Sequence, residues 1–464
     1  MNPTVFASDR GESAPSSPEL LDAASRAIAY LSTMGERPVA PSVDAVQRLA
    51  GFNYPLPSDP TDPATVIRLL DDLGSPATTA MAGPRFFGFV IGGALPTALA
   101  ANWLAGAWDQ NATLFESSPI AATLETVTER WLVDLLGLPS GTAASFVTGC
   151  TMAHFTALAA ARHAVLKAVG WDVPSQGLFG APRVTVVVGE EAHASLFKVL
   201  ALLGFGRDGL VRVPVDDQGR MRSDALPEVS GPAIVCVQAG NVNTGAFDPI
   251  RDVVAWARSI GAWVHVDGAF GLWAAAAPEL SHLLDGVELA DSWASDAHKW
   301  LNVPYDSGLA FVRDPLALTD VMTTSAAYLQ ETEGRREPSW YTPESSRRAR
   351  GVEIWAALLA LGANGVSDIV SRTCGYARRF AMQLEAAGFD ILNDVVLNQV
   401  LVSFGDPERT NRVIARVKED GTCWCGGTVW QGQTAMRISV SSWATTAEDV
   451  DISVRAIIAA ASAV

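Results

Sequence analysis

The sequence is poor in cysteine, and its five cysteines follow no spacing typical of a disulfide framework or a zinc site. Cys423 and Cys425 are separated by one residue, which is too close for an ordinary disulfide. Reduced thiols are typical of cytoplasmic proteins. Residues 1–20 also lack the basic start and the apolar run of a secretory signal. We therefore expect a cytoplasmic protein without structural disulfides and without a bound metal.

Two further features are missing, an excess of basic residues and a long apolar run. The chain has 33 Lys and Arg against 50 Asp and Glu, a net charge of −17. Such a surface repels nucleic acids and anionic lipids, so neither is expected as a partner. No stretch reaches the roughly 18 consecutive apolar residues of a transmembrane helix. Even residues 95–107 are interrupted by proline and polar residues, and no membrane span is expected.

Apolar residues are nevertheless abundant, at 49% of 464 residues, which is enough for a large core. Short runs of Val, Ile and Ala alternate with segments of helical periodicity, such as 152–169 and 250–260. This alternation predicts an α/β domain whose mostly parallel sheet is covered on both faces, with the ligand at the carboxyl ends of the strands. The strand candidates are 183–188, 233–238, 262–266 and 308–312.

The pattern changes twice along the chain, and this predicts three parts. Residues 1–80 combine a first helix near 20–31 with a Pro-rich arm at 37–79, which contains one short helix near 65–73. Residues 81–325 form the large domain. Residues 326–464 begin with a polar loop and continue as a small α+β domain. Its helices are predicted at 352–361, 365–387 and 446–460, and its strands at 396–404 and 435–440.

Four features lie at or near the ends of predicted strands. Lys299 lies in DAHKW at the rim of the sheet, where a desolvated amine can form a Schiff base with a carbonyl cofactor. Asp267 ends a buried strand, and a buried carboxylate needs a positive partner. Gly149 to Thr151 open an Ala-rich helix, whose free amides suit a phosphate. His193 follows another strand and could stack on a flat ring.

Each feature alone also has an ordinary structural explanation. Lys299 could be a surface lysine, Asp267 a turn cap, Thr151 a helix N-cap, and His193 a cap or core residue. The ordered series along one sheet edge is what predicts a pyridoxal phosphate pocket.

The motifs around these residues resemble the group II pyridoxal-dependent decarboxylases, over about residues 84–443. Aromatic amino acid and tyrosine decarboxylases are among the similar members. The resemblance implies the fold of aspartate aminotransferase, fold type I, with a seven-stranded sheet and a small carboxyl-terminal domain. It also implies pyridoxal 5′-phosphate as cofactor and a homodimer with its active sites at the interface. The matching segments are SPIAATLE at 118–125, VTGCTMA at 147–153, HASLFK at 193–198, GAFDPI at 245–250, HVDGAF at 265–270 and DAHKW at 296–300.

The same resemblance implies roles for individual residues. Lys299 would bind the cofactor covalently, Asp267 would pair with its pyridine nitrogen, and His193 would stack on its ring. Ala269 would pack on the ring, and Tyr328 in the polar loop would protonate the carbanion left by carbon dioxide. The phosphate would be held by Gly149, Cys150, Thr151 and His298.

The substrate side is expected at Phe86, Phe87 and Phe89, which resemble the family loop under the substrate side chain. Three phenylalanines favour an aromatic or bulky apolar amino acid over glutamate, with Arg85 as the only nearby cation. Three Phe in four residues could equally be core. Residues 113–115 resemble the stretch that the second subunit supplies.

The sequence also departs from the family pattern. Met152 and His154 replace an acid and an amide of the phosphate helix, and Val242 and Asn243 stand where hydroxyl residues often lie. These departures leave the substrate and the reaction open. The alternatives are a pyridoxal enzyme that breaks another bond, as an aldolase, an aminotransferase or an oxidative deaminating decarboxylase does, and a catalytically silent cofactor-binding subunit.

Overall fold

The computed structural model describes residues 17–324 and 332–464. The chain divides into two compact units, Met1–Ala80 and Met81–Val464. In the first unit, Arg26 donates to Asp22 on its own helix and to Asp71 on another, which ties the two longest helices together. Ser42 caps the short second helix and Asp62 caps the third helix, each by accepting a backbone N–H. The helices are α1 (Pro18–Ser32), α2 (Val43–Arg48) and α3 (Pro63–Gly74).

The second unit contains a seven-stranded sheet in the order β1-β7-β6-β5-β4-β2-β3. Strand β7 runs antiparallel to β1 and β6, and the other neighbours are parallel. The predicted fold type I architecture with a mostly parallel seven-stranded sheet is therefore confirmed. The strands are β1 (Ala143–Val147), β2 (Thr185–Gly189), β3 (Val211–Val213), β4 (Ala233–Gln238), β5 (Trp263–Asp267), β6 (Ser292–Asp296) and β7 (Gly308–Val312).

A second sheet of four antiparallel strands, in the order β10-β11-β9-β8, lies in the carboxyl-terminal part. Its apolar face packs with the carboxyl-terminal helices into a core of its own, which includes Phe380, Val402 and Ile457. The strands are β8 (Asp390–Ile391), β9 (Gln399–Ser403), β10 (Gly426–Trp430) and β11 (Gln433–Ser439).

Ten α-helices of the second unit are described, and they cover the sheets. Several begin at sequence-encoded caps; the last one has a capping box in which Thr446 and Asp449 bond to each other's backbone N–H. The helices are α4 (Pro96–Trp108), α5 (Pro119–Leu135), α6 (Cys150–Lys167), α7 (Val173–Gln176), α8 (Ala194–Leu202), α9 (Ile250–Ser259), α10 (Pro315–Met322), α11 (Gly351–Ala386), α12 (Pro407–Asp420) and α13 (Ala447–Ser462).

Helix α11 is long and apolar enough, by length and composition, to cross a membrane. It packs against α4, α5, α13 and β9, and Ile354, Val370 and Phe380 on it are buried. At Gly362 the backbone leaves helical geometry with φ 59° and ψ 177°, a conformation that favours glycine. The two helices predicted at 352–361 and 365–387 are therefore two segments of one element, which we interpret as a kinked core helix.

Candidate active site

A cavity of about 520 Å³ lies at the carboxyl ends of three neighbouring strands of the large sheet. Gln238, Asp267 and Asp296 are the last residues of β4, β5 and β6, and all three line it. The first turn of α6 and the residues just after β2 complete the wall. In α/β sheets ligands bind in such crevices, where loops and helix N-termini meet at the strand ends.

Lys299 is held in this cavity by a neighbouring carboxylate. Its Nζ lies 3.1 Å from Asp296 Oδ2, and the side chain is 17% exposed. Burial alone lowers the pKa of the Lys299 ammonium, but the carboxylates of Asp296 and Asp267 outweigh it and raise the pKa above the usual value. The counter-ion of the Lys299 ammonium is thus Asp296.

Asp267 is a buried carboxylate at the end of β5. Its Oδ1 accepts a hydrogen bond from the Ala269 backbone N–H at 3.2 Å, and its Oδ2 lies 3.4 Å from His154 Nε2. Burial raises the pKa of Asp267, yet His154, His193 and Lys299 lower it, and the net pKa lies well below the usual range. A carboxylate kept charged in this way can pair with a protonated ring nitrogen.

The first turn of α6 provides a seat for an anion. Gly149 precedes the helix, and the Cys150 N–H donates to Asp296 Oδ1 at 2.6 Å. Amides at a helix start have no partner within the helix, so they suit a phosphate. Gly308 on β7 makes this geometry possible, since a Cβ there would lie 2.4 Å from the Gly149 backbone. The close approach of β7 to the start of α6 therefore requires glycine.

His298 lies beside the same helix start. Its ring stacks on Tyr305 at 4.3 Å between centroids, and its Nδ1 accepts from the Ser307 N–H at 3.3 Å. Its Nε2 lies 3.5 Å from Asp296 Oδ1. Burial lowers the pKa of His298, so the imidazole is neutral near pH 7 and its Nε2 can donate to an anion.

His193 is both a helix cap and a cavity residue. As the N-cap of α8, its Nδ1 accepts from the Ser195 N–H at 3.2 Å and contacts the Ser195 hydroxyl at 2.7 Å. These contacts fix the ring against the cavity. Burial lowers the pKa of His193, which keeps the imidazole neutral. The two interpretations of His193 that the sequence offered, cap and stacking ring, are thus compatible.

Most of the predicted site residues line this one cavity. Phe89 is among them, with its side chain 58% exposed. Both Phe89 and Val90 have positive φ, 54° and 58°, a strained conformation that is often found at functional sites. Tyr328 lies outside the described residues. The predicted residues on the cavity wall are Phe89, Gly149, Cys150, Thr151, His193, Asp267, Ala269, His298 and Lys299.

The structure corrects the prediction for Phe86 and Phe87. The Phe87 N–H donates to the Trp424 carbonyl, so this segment pairs with the small domain in the manner of a strand. Phe87 packs edge-on against Phe380 in the small-domain core, and Phe86 stacks on Trp424 with ring centroids 5.0 Å apart. Neither of these two rings reaches the cavity.

Among the residues that line the cavity but were not predicted from the sequence, two are charged, Asp296 and Arg437. Asp296 belongs to the recognised DAHKW motif, so a signal was present. Arg437 lies on β11 and reaches the cavity from the small domain, far from the other residues in sequence. Its Nη1 donates to the Val242 carbonyl at 3.3 Å, and no carboxylate pairs with it among the described residues. Burial lowers the pKa of the Arg437 guanidinium.

Cys150, His154 and Asp267 place a thiol, an imidazole and a carboxylate within 4.8 Å of one another. By residue type this trio could bind a metal. Cys150 Sγ and Asp267 Oδ2 each lie 3.4 Å from His154 Nε2, which is within hydrogen-bonding range. We therefore interpret the trio as a hydrogen-bonded cluster beneath the cavity.

The residues present fit pyridoxal 5′-phosphate. A buried lysine amine, a charged carboxylate, a neutral imidazole and a helix N-terminus line one cavity, and they match the aldehyde, pyridine nitrogen, ring face and phosphate of that molecule. Fold and site together define a fold type I pyridoxal phosphate enzyme. Residues 49–405 match the model of the pyridoxal-dependent decarboxylase conserved domain. The chain belongs to this family of pyridoxal phosphate-dependent amino acid decarboxylases.

Comparison with individual proteins gives several relatives that are similar over most of their length. "Tryptophan decarboxylase 1" from Oryza sativa subsp. japonica is 28% identical, over 89% of this chain and 87% of the relative. "Aromatic-L-amino-acid decarboxylase" from Bacillus atrophaeus is 26% identical, over 72% and 70%. "Phenylacetaldehyde synthase" from Arabidopsis thaliana is 24% identical, over 89% of each. The crystal structure of Oryza sativa TDC with PLP and tryptamine shares the fold, with a TM-score of 0.89 and 22% identity over 98% of this chain and 99% of that one.

Proposed function

We propose that this protein removes the α-carboxylate of an aromatic L-amino acid as carbon dioxide and releases the amine. The observation that carries the proposal is the cavity itself, which combines Lys299 and Asp267 with the exposed ring of Phe89 on one wall. Phe89 packs against Trp424, with ring centroids 5.2 Å apart, and extends an aromatic surface next to the cavity. Aromatic rings favour an aromatic substrate by stacking.

The relatives support this choice without deciding it. Two of them are named for tryptophan and aromatic amino acids. Others are named as acidic amino acid decarboxylase and aspartate 1-decarboxylase, the latter 32% identical over 51% of this chain. Substrate choice therefore depends on this chain's own cavity wall.

Pyridoxal 5′-phosphate, when bound, supplies the sink for the electrons of the bond that breaks. Lys299 would hold it through Nζ, and the first turn of α6 with His298 would hold its phosphate. Asp267 keeps a proton on the ring nitrogen, because its own charge is stabilised by the groups around it. His193 supports one face of the ring from a position fixed by Ser195.

Arg437 is suited to orient the substrate. It is a buried guanidinium on the cavity wall, and its described partners are the Val242 carbonyl and the Asn243 side chain, which carry no charge. A buried cation is stabilised by a negative partner, and the α-carboxylate of the substrate supplies one. Binding there would set the direction of the Cα–carboxylate bond, and with it which bond breaks.

Tyr328 completes the proposed mechanism as the donor that protonates Cα after carbon dioxide leaves. A phenol can give a proton without being acidic enough to compete for the amine. Unchanged amine production by a Tyr328→Phe variant would refute this role.

A second candidate is decarboxylation coupled to oxidative deamination, in which dioxygen is reduced to hydrogen peroxide and the other products are carbon dioxide, ammonia and an aldehyde. Two relatives named as aldehyde synthases, from Arabidopsis thaliana and Rhodiola rosea, favour it. Within this chain, Val242 and Asn243 replace hydroxyl residues beside the cavity. Asn243 accepts from the Thr428 hydroxyl at 3.1 Å, so its amide is turned toward the small domain.

We also propose a homodimer in the cytoplasm. Trp103, Leu104 and Trp108 on α4 are exposed apolar side chains, and clusters of such side chains are typical of protein interfaces. In the first unit, Leu20, Leu56 and Leu70 are exposed as well, which supports the arm at 37–79 as the element exchanged between subunits. The five cysteines are buried free thiols, as suits a reducing compartment. Light scattering that gives a monomer would contradict the dimer.

The decisive experiment incubates the loaded protein with each of the twenty common amino acids, DOPA and diaminobutyrate. Carbon dioxide, amine, aldehyde and hydrogen peroxide are all measured, and a Lys299→Ala variant serves as control. Equal amounts of carbon dioxide and amine from aromatic substrates are expected. Aldehyde and peroxide in place of amine would establish the second candidate, and turnover of acidic amino acids alone would refute the aromatic preference.

A further inference from the structure

A chain of buried polar side chains runs from the interior of the large sheet to Asp267. The Trp263 N–H donates to Ser292 Oγ at 2.8 Å, and Ser292 Oγ lies 2.8 Å from His265 Nδ1. His265 Nε2 lies 2.8 Å from His154 Nδ1, and His154 Nε2 lies 3.4 Å from Asp267 Oδ2. His154, His265 and Ser292 are completely buried. The chain is therefore shielded from solvent between Ser292 and His154, and Trp263 at its far end is partly exposed.

The charged carboxylate of Asp267, which can only accept, sets the direction of the chain. The Ser292 hydroxyl accepts the Trp263 N–H and can at the same time donate its own hydrogen to His265 Nδ1. His265 then carries its proton on Nε2 and donates to His154 Nδ1. This leaves the His154 proton on Nε2, where it faces the carboxylate. The reverse direction would place a nitrogen lone pair of a neutral His154 against the charged Asp267 oxygen.

The electrostatic surroundings agree with this arrangement. Burial lowers the pKa of His265 well below its usual value, so His265 is neutral and has a single proton to donate. Cys150, also on α6, lies 3.4 Å from His154 Nε2, and its thiol stays protonated because burial raises its pKa. The Lys299 ammonium also stabilises the charge of Asp267. Thus His154 donates to Asp267, and its neighbours His265 and Cys150 carry no charge.

We infer that His154 is a positioning residue, held in one tautomer by His265 and Ser292, that keeps Asp267 charged and thereby keeps the cofactor's pyridine nitrogen protonated. From the sequence, His154 was noted only because it stands where the family has an amide side chain. The structure gives it a donor function toward the carboxylate. The inference concerns the bound cofactor and does not depend on which amino acid is the substrate.

A measurement on the unaltered protein tests the direction of the chain. The sequence contains six histidines, few enough for assignment of a ¹⁵N-histidine spectrum of the loaded protein with single-site variants. We expect His154 and His265 both to be neutral, with the proton on Nε2 in each. A proton on Nδ1 of either ring, or a doubly protonated His154, would overturn the inference.

Variants test the consequence for the cofactor. The protein is loaded with pyridoxal 5′-phosphate labelled with ¹⁵N in the ring, and the ring nitrogen shift is followed against pH without substrate. His154→Leu removes the donor, and we expect the ring nitrogen to lose its proton at a pH where the unaltered protein retains it. His154→Gln supplies a side-chain N–H that does not titrate, and it should restore most of the original titration.

A matched control comes from the same helix. His163 is also buried on α6, but its Nε2 lies 3.6 Å from Asp320, away from the cavity, so His163→Leu should leave the ring nitrogen unchanged. An identical titration for His154→Leu and the unaltered protein would overturn the inference, as would an equal shift in His163→Leu. If His154→Leu does not fold, the tautomer measurement and the His154→Gln titration still test the donor role of His154.

Discussion

The Lys299 ammonium and the Asp296 carboxylate form an ion pair of 3.1 Å, three residues apart at the end of β6. The other oxygen of Asp296 accepts the N–H of Cys150 in the first turn of α6. A single carboxylate thus holds both the amine and the helix start that the cofactor would use. Asp296 also raises the pKa of the Lys299 ammonium.

Replacing Asp296 by Asn should therefore change how the protein takes up its cofactor. Asn can still accept from the Cys150 N–H, but it removes the charge that raises the pKa of Lys299. The pKa of the amine should fall, because burial then acts with less opposition. A Schiff base needs the neutral amine, so uptake at neutral pH should become several-fold faster and its pH profile should move to lower pH.

Stopped-flow absorbance of the apoprotein mixed with pyridoxal 5′-phosphate at several pH values measures this change. Asp306→Asn is the matched control, since Asp306 is a nearby half-exposed carboxylate that pairs with Arg350. The same pH profile for Asp296→Asn and the unaltered protein would show that Asp296 does not govern the amine.

Phe87 and Phe89 are two residues apart, yet their variants should behave in opposite ways. Phe87 is 1% exposed in the small-domain core, and Phe87→Ala should lower the free energy of unfolding by about 3–5 kcal/mol. Phe89 is 58% exposed on the cavity wall, and Phe89→Ala should lower the free energy of unfolding by about 0.5 kcal/mol or less. It should instead raise KM for aromatic substrates.

Urea unfolding and steady-state kinetics, run on both variants, separate the two positions. A large rise in KM for a still folded Phe87→Ala protein, with none for Phe89→Ala, would reverse the assignment.

The contrast between Phe87 and Lys299 shows what the sequence could predict. Lys299, Asp267 and His193 each follow a strand or lie within a recognisable motif, and the sheet brings their strand ends together whatever the details of packing. Phe87 depends on which face of its segment meets the small domain, and that is decided by its pairing with Trp424, a distant residue. The motif could locate the segment but not the direction of each side chain.

The same limit applies to β6 and Arg437. Strand β6 has the sequence SWASD, which contains no apolar run and was therefore not predicted as a strand. It is fully buried and lies between β5 and β7 in the sheet. Arg437 reaches the cavity through the packing of the small domain. His154 was recognised as a departure, but its donor function depends on His265 and Ser292, which only the fold brings next to it.

Asp248 in the GAFDPI segment should make stability depend on pH. Burial raises its pKa to about 6, although the N–H groups of Met221 and Gln238 donate to it and lower the pKa. Between its ordinary value near pH 4 and about pH 6, the folded state therefore binds more protons than the unfolded state. Stability should fall as pH rises through this window, by up to about 3 kcal/mol.

The slope of the free energy of unfolding against pH measures this effect. Asp248→Asn should flatten the slope, whatever its absolute stability, while Asp217→Asn, which removes an exposed charge nearby, should keep it. A slope that persists in Asp248→Asn would assign the titration to another group.

Arg437→Met should separate substrate binding from cofactor binding. The variant keeps most of the side-chain volume but removes the guanidinium that faces the cavity without a carboxylate partner among the described residues. A hydrogen bond to a charged group contributes about 1.5–3 kcal/mol, so KM should rise by roughly 10-fold to 100-fold. The cofactor's visible absorbance should stay unchanged, because Lys299 and Asp267 are untouched.

Arg455→Met, at an exposed arginine on α13, is the control and should leave both KM and the absorbance as they are. A normal KM in Arg437→Met would mean that the α-carboxylate binds elsewhere, and the direction of the scissile bond would then need another anchor.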